Sequence, residues 1–172
     1  ALPSLLIFPY LSFLNVYAED VMHIGSQGLG VLLASSGVGA VIGGLMIASM
    51  KSLNGVGKGL YLWTGAYCFS LMGFALVPHL LTGIPLLAAA GLIGSYVFSA
   101  NNSLMQQRIT DDVRGRVMGT YILTWGLMPI GALWMGEVAE VWNVRVSTFT
   151  GAFVCLLLVA VLRMRAKVLP TL

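Results

Sequence analysis

The sequence of 172 residues predicts an all-α membrane protein, a bundle of six transmembrane helices. Hydrophobic residues make up 58 % of the chain and charged residues only 9 %, whereas soluble domains carry about 25 % charged residues. Charge-free windows of about 20 residues recur, which is the length that crosses the hydrocarbon of a bilayer. These windows are continuously apolar, which favours helices over the alternating strands of a membrane barrel.

The charged residues and prolines delimit the six spans. The first two windows, 1–18 and 28–50, end at two acidic residues and at a lysine. The window 59–107 is long enough for two spans. We expect a tight turn at 78–85 to separate them, because that stretch holds two prolines and a glycine. The fifth and sixth spans are 117–136 and 146–162.

The nine cationic side chains fall unevenly on the loops between these spans. Alternating spans place eight of them on one side of the membrane: Lys51, Lys58, Arg108, Arg114, Arg116, Arg163, Arg165 and Lys167. Only Arg145 falls on the other side. The positive-inside rule makes the first side cytoplasmic. Both chain ends are therefore expected in the cytoplasm, and the protein is expected to be a multi-pass protein of the cytoplasmic (plasma or inner) membrane.

Polar residues of the fourth span share one helical face. Ser95, Ser99, Asn102 and Gln106 are spaced by four, three and four residues, and Gly91 extends their face outward. Such a stripe forms hydrogen bonds between helices or lines a water-filled cavity, and both interpretations stay open. The stripe supplies the first candidates for a ligand pathway. Asn15 in the first span and Tyr121 and Trp125 in the fifth complete the candidate set.

Small residues mark two further spans. Gly39 and Gly43 of the second span form a small-xxx-small pair, which favours close packing against another helix. In the fifth span Pro129 stands between Gly126 and Gly131, which favours a helix bend.

Enzyme chemistry finds no support in the sequence. There is no HExxH, GxSxG or paired-cysteine motif, and "GVGKG" at 55–59 lacks the spacing of a phosphate loop. Cys68 and Cys155 stand in long apolar runs and are expected to be buried thiols. The net charge of +3 comes from residues scattered among apolar segments, so we expect no nucleic-acid partner. We expect no cofactor and no metal, and proton coupling stays open.

Three stretches, at 114–121, 129–145 and 16–44, resemble parts of one known family. It is the major facilitator superfamily, and within it the branch of enterobactin and macrolide exporters. "RGRVMGTY" at 114–121 follows an aspartate-containing loop, as in the loop between helices ten and eleven of that family. "PIGALWMGEVAEVWNVR" at 129–145 is similar to its eleventh helix, and "VYAEDVMHIGSQGLGVLLASSGVGAVIGG" at 16–44 to its helices seven and eight. One departure is that the loop "MKSLNGVGKG" at 50–59 lacks the Asp-Arg pair of the family's signature loop.

The resemblance implies that residues 1–172 form a C-terminal six-helix half of a twelve-helix transporter. Two inverted three-helix repeats, roughly 1–78 and 79–172, would build this half. The partners implied are an N-terminal half, the lipid bilayer and a small-molecule substrate. The implied function is secondary active transport by alternating access, with export of small amphiphilic molecules such as drugs or siderophores. A conformational loop would contain Asp111, Asp112, Arg114, Arg116 and Gly119.

Two other classes remain as alternatives to a transporter. One is a six-helix membrane module that senses a ligand or recruits a partner without transporting anything. The other is the permease subunit of an ATP-driven importer, which would need a cytoplasmic coupling motif beginning Glu-Ala-Ala that this sequence does not contain.

Overall fold

The computed structural model describes residues 10–50, 56–108, 115–116, 119, 122–123, 126 and 128–168. No strand occurs within these ranges. The helices are α1 (Tyr10–Val16), which continues as a π-helical segment (Tyr17–Val21), then α2 (Gly25–Ala48), α3 (Val56–Leu76), α4 (Leu80–Arg108), α5 (Met128–Val141) and α6 (Val144–Val168). The all-α prediction is therefore confirmed for the described ranges.

Four of the described helices are long and apolar enough to cross a membrane. Their spanning segments are Gly25–Ala48, Gly59–Leu76, Leu80–Leu104 and Val144–Met164. They correspond to the second, third, fourth and sixth predicted spans. The described parts of α1 and α5 contain 7 and 14 residues. The complete six-helix bundle and its division into two inverted repeats stay predictions.

The turn between α3 and α4 is shorter than the sequence predicts. Helix α4 begins at Leu80, so Pro85 lies inside a helix and the turn expected over 78–85 is wrong from Leu80 onward. The Thr82 hydroxyl donates to the carbonyls of Val77 and His79, both at 3.0 Å, and so satisfies the acceptors of the turn. Membrane helices tolerate proline where neighbouring groups compensate for its missing N–H.

The ends of three elements meet near this turn. Arg145, at the start of α6, donates from Nε to the Ala75 carbonyl at 3.0 Å and from a terminal nitrogen to the Leu76 carbonyl at 2.8 Å. The Tyr17 hydroxyl donates to the Val144 carbonyl at 3.4 Å. The end of α1, the end of α3 and the start of α6 therefore lie together at one end of the bundle.

Helices α2 and α4 approach each other through glycines. A Cβ atom added at Gly39 or Gly43 would overlap the backbone of Ala88 or Leu92 in α4, and one added at Gly91 would overlap the Ser36 carbonyl in α2. The close packing predicted from the Gly39–Gly43 pair is confirmed. Helix α3 packs on α4 and α6, and α5 packs on α6.

Candidate functional site

A cavity of about 220 Å³ lies between α1, α2, α3 and α4. Its walls come from Tyr10 and Leu11 of α1, Ser36 and Ala40 of α2, Tyr67 of α3, and Ala90, Gly91, Gly94, Ser95 and Phe98 of α4. Four of these side chains carry a hydroxyl and the others are apolar. None is charged at neutral pH.

The cavity lies at about half the depth of the helices. Ser36 comes 11 residues after the first residue of α2, Gly91 comes 11 after the first residue of α4, and Tyr67 comes 9 before the last residue of α3. At 1.5 Å per residue these separations correspond to roughly 14 to 17 Å. The hydrocarbon of a bilayer is about 30 Å thick, so helices centred in a bilayer would place the cavity near its midplane.

Two hydroxyls meet at the wall of the cavity. Tyr10 is 4 % exposed and Ser36 is 8 % exposed, and their side-chain oxygens are 3.3 Å apart, a hydrogen bond in which either can donate. One of the two protons is used in this bond, while both oxygens keep lone pairs that can accept. The pair can therefore bind a ligand that donates a hydrogen bond.

The predicted stripe of α4 divides into two parts. Its outer part faces α2, because Gly91 meets the backbone of Ser36 and a Cβ added at Gly44 would lie 3.6 Å from the Ser95 hydroxyl. Its inner part becomes exposed only at its last residue. Ser99 and Asn102 are half-buried and Gln106 is exposed. A pathway along that inner part stays a prediction.

Helix α1 presents a polar face away from the bundle core. Asn15 is exposed, as is Ser12 one turn earlier, whereas Tyr10 and Leu14 on the other side are buried. The acidic residue Glu19, within the π-helical segment, is exposed as well. The structure thus leaves Asn15 without cover from the described helices.

Several of the predicted candidates lie outside the described residues. These are Tyr121 and Trp125 of the pathway, and Asp111, Asp112 and Arg114 of the conformational loop. Arg116 and Gly119 of that loop are described; both are helical and exposed. At the predicted bend, Gly126 and Pro129 are exposed and Gly131 is buried. The bend itself stays a prediction.

The two cysteines meet between α3 and α6. Cys68 and Cys155 are both 0 % exposed, both are free thiols, and they lie close to each other. The expected burial is confirmed. Over the described part of the chain, no three side chains of His, Cys, Asp and Glu come together in a way that could hold a metal ion.

Sequence reasoning missed three of the four hydroxyl residues of the cavity. Tyr10, Ser36 and Tyr67 lie in three different apolar spans, so no periodic pattern connects them. Only Ser95 belonged to a recognisable stripe. The signal that could have found them is that each hydroxyl residue lies at a similar depth in its span. This indicates a shared site only when it is known which spans pack against each other.

One family of known proteins matches a range of residues that includes all of the helices described above. The family described as transmembrane secretion effector matches residues 5–171. The Staphyloferrin A transporter of Staphylococcus aureus (strain NCTC 8325 / PS 47) is 24 % identical over 143 residues, which are 83 % of this chain and 36 % of that protein. The chain thus spans about a third of the length of this relative. No solved structure matches the chain.

Proposed function

The chain belongs to the transmembrane secretion effector family of major facilitator superfamily transporters, and from this membership we propose that it exports small amphiphilic molecules by alternating access. It is a multi-pass integral membrane protein and not an enzyme. Drugs and siderophores are the substrate classes that fit this proposal. The relative named as a Staphyloferrin A transporter supports a function in transport.

The observation that carries the proposal is the exposed polar face of α1. Asn15 and Ser12 are exposed on a helix whose opposite side is buried. Polar side chains at membrane depth face a protein partner or a water-filled cavity in preference to lipid. A face of this kind, with the exposed end of the α4 stripe at Gln106, supports a pathway on the surface of this bundle.

We also propose that this bundle works as one half of a larger transporter. In the family fold two six-helix halves rock about a substrate site between them. Partial coverage of the longer relative supports this arrangement. An N-terminal half would then cover the exposed face of α1, and these residues alone would transport nothing. We place the chain in the cytoplasmic membrane with both ends in the cytoplasm, as the distribution of cations favours.

Export can be tested with Nile red, a neutral amphiphilic dye, in cells that express the complete natural protein containing this chain. Preloaded cells should lose the dye faster than cells without the protein. Asn15→Leu and Ser99→Leu should each slow this loss several-fold, because a leucine in a polar pathway removes a hydrogen-bonding group and narrows the passage.

Asn101→Leu serves as the matched control. The Asn101 amide donates to the Val97 carbonyl of its own helix at 2.9 Å, and the residue lies off the predicted stripe. This variant should lose dye at the wild-type rate. The pathway would be contradicted if Asn15→Leu and Ser99→Leu matched the control, or if cysteine labelling showed Ser99 and Asn102 in contact with lipid.

A further inference from the structure

We propose that the cavity between α1, α2, α3 and α4 is a binding site for a neutral aromatic molecule of one or two fused rings that carries a single N–H or O–H group. The cavity is half-open and shares Ser95 with the predicted stripe of α4, whereas the exposed face of α1 that supports the proposed pathway is formed by Ser12 and Asn15. It does not rest on the proposed function, because its test measures binding and not transport.

The lining excludes charged ligands. All of the described walls are uncharged, and an ion transferred to such an environment without a partner of opposite charge loses far more solvation than it recovers. A purely hydrocarbon ligand is nevertheless a poor match. It would form no hydrogen bond with the hydroxyls of Tyr10, Ser36 and Ser95, which line the cavity.

The volume sets the size of the ligand. An apolar protein cavity of about 150 Å³ binds benzene, so the volume of about 220 Å³ found here accommodates a second fused ring. The aromatic walls formed by Tyr67 and Phe98 suit a flat ring, since offset or edge-to-face contacts between rings add to the burial of area.

The position of the hydroxyl pair sets where the polar group of the ligand binds. Tyr10 and Ser36 are hydrogen-bonded to each other at 3.3 Å on one wall, between α1 and α2. A ligand N–H can donate to either oxygen while its ring lies against α3 and α4. Gly91 also lines the cavity and touches the backbone of Ser36, so the bound ligand would lie beside the closest contact of α2 and α4.

The experiment uses 5-fluoroindole as the probe and follows its fluorine NMR line width in the presence of the complete protein in lipid nanodiscs. Wild-type protein should broaden the line saturably, above the linear background of partition into lipid. Ala40→Leu fills the cavity and should abolish the saturable part. Ala34→Leu makes the same change on the exposed side of α2 and should retain it.

Competition by unlabelled ligands tests the hydrogen bond. Indole should displace the probe about fivefold better than indene, which has the same shape but no N–H. In the double variant Tyr10→Phe/Ser36→Ala this preference should fall toward one, since both acceptors of the pair are gone. Equal saturable broadening in the Ala40→Leu and Ala34→Leu proteins would overturn the proposal. An unchanged preference for indole in the double variant would overturn the proposal independently. This comparison is the deciding test if the Ala40→Leu protein does not fold.

Discussion

Glycines in α2 have different roles although they stand close together in the sequence. Gly39 is buried and lies against the backbone of α4, so any side chain there would collide with the Ala88 carbonyl. Gly37, two residues earlier, is exposed and has open space where a Cβ would be. Backbone contact of this kind is a source of helix association in membranes, where lipid removes most of the hydrophobic driving force.

The first prediction compares these two glycines. Gly39→Ala should lower the stability of the purified protein by about 1 to 3 kcal/mol, because the new methyl group overpacks the contact between α2 and α4. Gly37→Ala makes the same chemical change in open space and should leave stability unchanged or slightly raise it. Thermal unfolding in one detergent measures both, and equal melting temperatures would contradict the prediction.

The second prediction concerns the buried thiols. Cys68 and Cys155 should not react with N-ethylmaleimide in the folded protein, because both thiols are fully buried where α3 packs on α6. Ser49→Cys provides an exposed thiol as a positive control. Mass spectrometry after brief labelling should find the reagent at position 49 alone until a denaturant is added. Labelling of either native cysteine at the rate of the control would show that the α3–α6 contact is wrong.

At the scale of elements, Arg145 connects α6 to α3. The guanidinium donates to the Ala75 and Leu76 carbonyls at the last turn of α3, where the helix has carbonyls without partners and a partial negative charge. This contact gives a physical reason for an arginine on the side that the positive-inside rule otherwise keeps free of cations. At this position the arginine stabilises the contact between α6 and α3.

The third prediction follows from this contact. Arg145→Gln should destabilise the protein by about 1.5 to 3 kcal/mol, the range for a hydrogen bond to a charged group. Arg145→Lys should recover part of the loss, because an ammonium keeps the charge but not the planar fork of donors. Arg163→Gln, at an exposed position in the second half of α6, is the control in the same unfolding assay. A loss at Arg163 as large as that at Arg145 would refute the capping role.

At the scale of the whole molecule, three helix connections lie at one end of the bundle. Each is short: 22–24 before α2, 77–79 before α4 and 142–143 before α6. The hydrogen bonds from Arg145 to α3 and from Tyr17 to Val144 bring these connections together. Helices that cross a membrane in alternating directions place every second connection on the same side. The arrangement therefore agrees with the sequence-based assignment of all three connections to one side of the membrane.

The fourth prediction tests this arrangement. His23→Cys, His79→Cys and Trp142→Cys each place a thiol at an exposed site in one of the connections. A membrane-impermeant maleimide added to intact cells should label all three, and it should label Ser49→Cys only after the membrane is opened. The topology would be wrong if any one of the three behaved like position 49. Lys51 and Arg114 would then no longer be expected to share a side.

The transmembrane character, the approximate bounds of four of the six predicted spans and the close-packing face of α2 could be predicted from the sequence. Each follows from a local property of the sequence. A charge in hydrocarbon has a high transfer free energy wherever the rest of the chain lies, and a glycine pair leaves room for another helix whichever helix packs on it. The error at Pro85 shows the limit of local rules. The prolines predict a turn that extends to Pro85, but α4 begins at Leu80, and the Thr82 hydroxyl donates to the carbonyls of Val77 and His79 that precede the helix.

By itself, then, the sequence determined that this chain lies in a membrane, roughly where it crosses, and that its thiols are buried. Only the tertiary structure decided which backbone Gly39 meets, why Arg145 stands where it does, and that single hydroxyls from α1, α2 and α3 converge with Ser95 on one cavity. The physical reason is that the cost of a charge in lipid depends on one residue and its depth. A cavity depends on distances between residues far apart in sequence, which are set only when the helices pack.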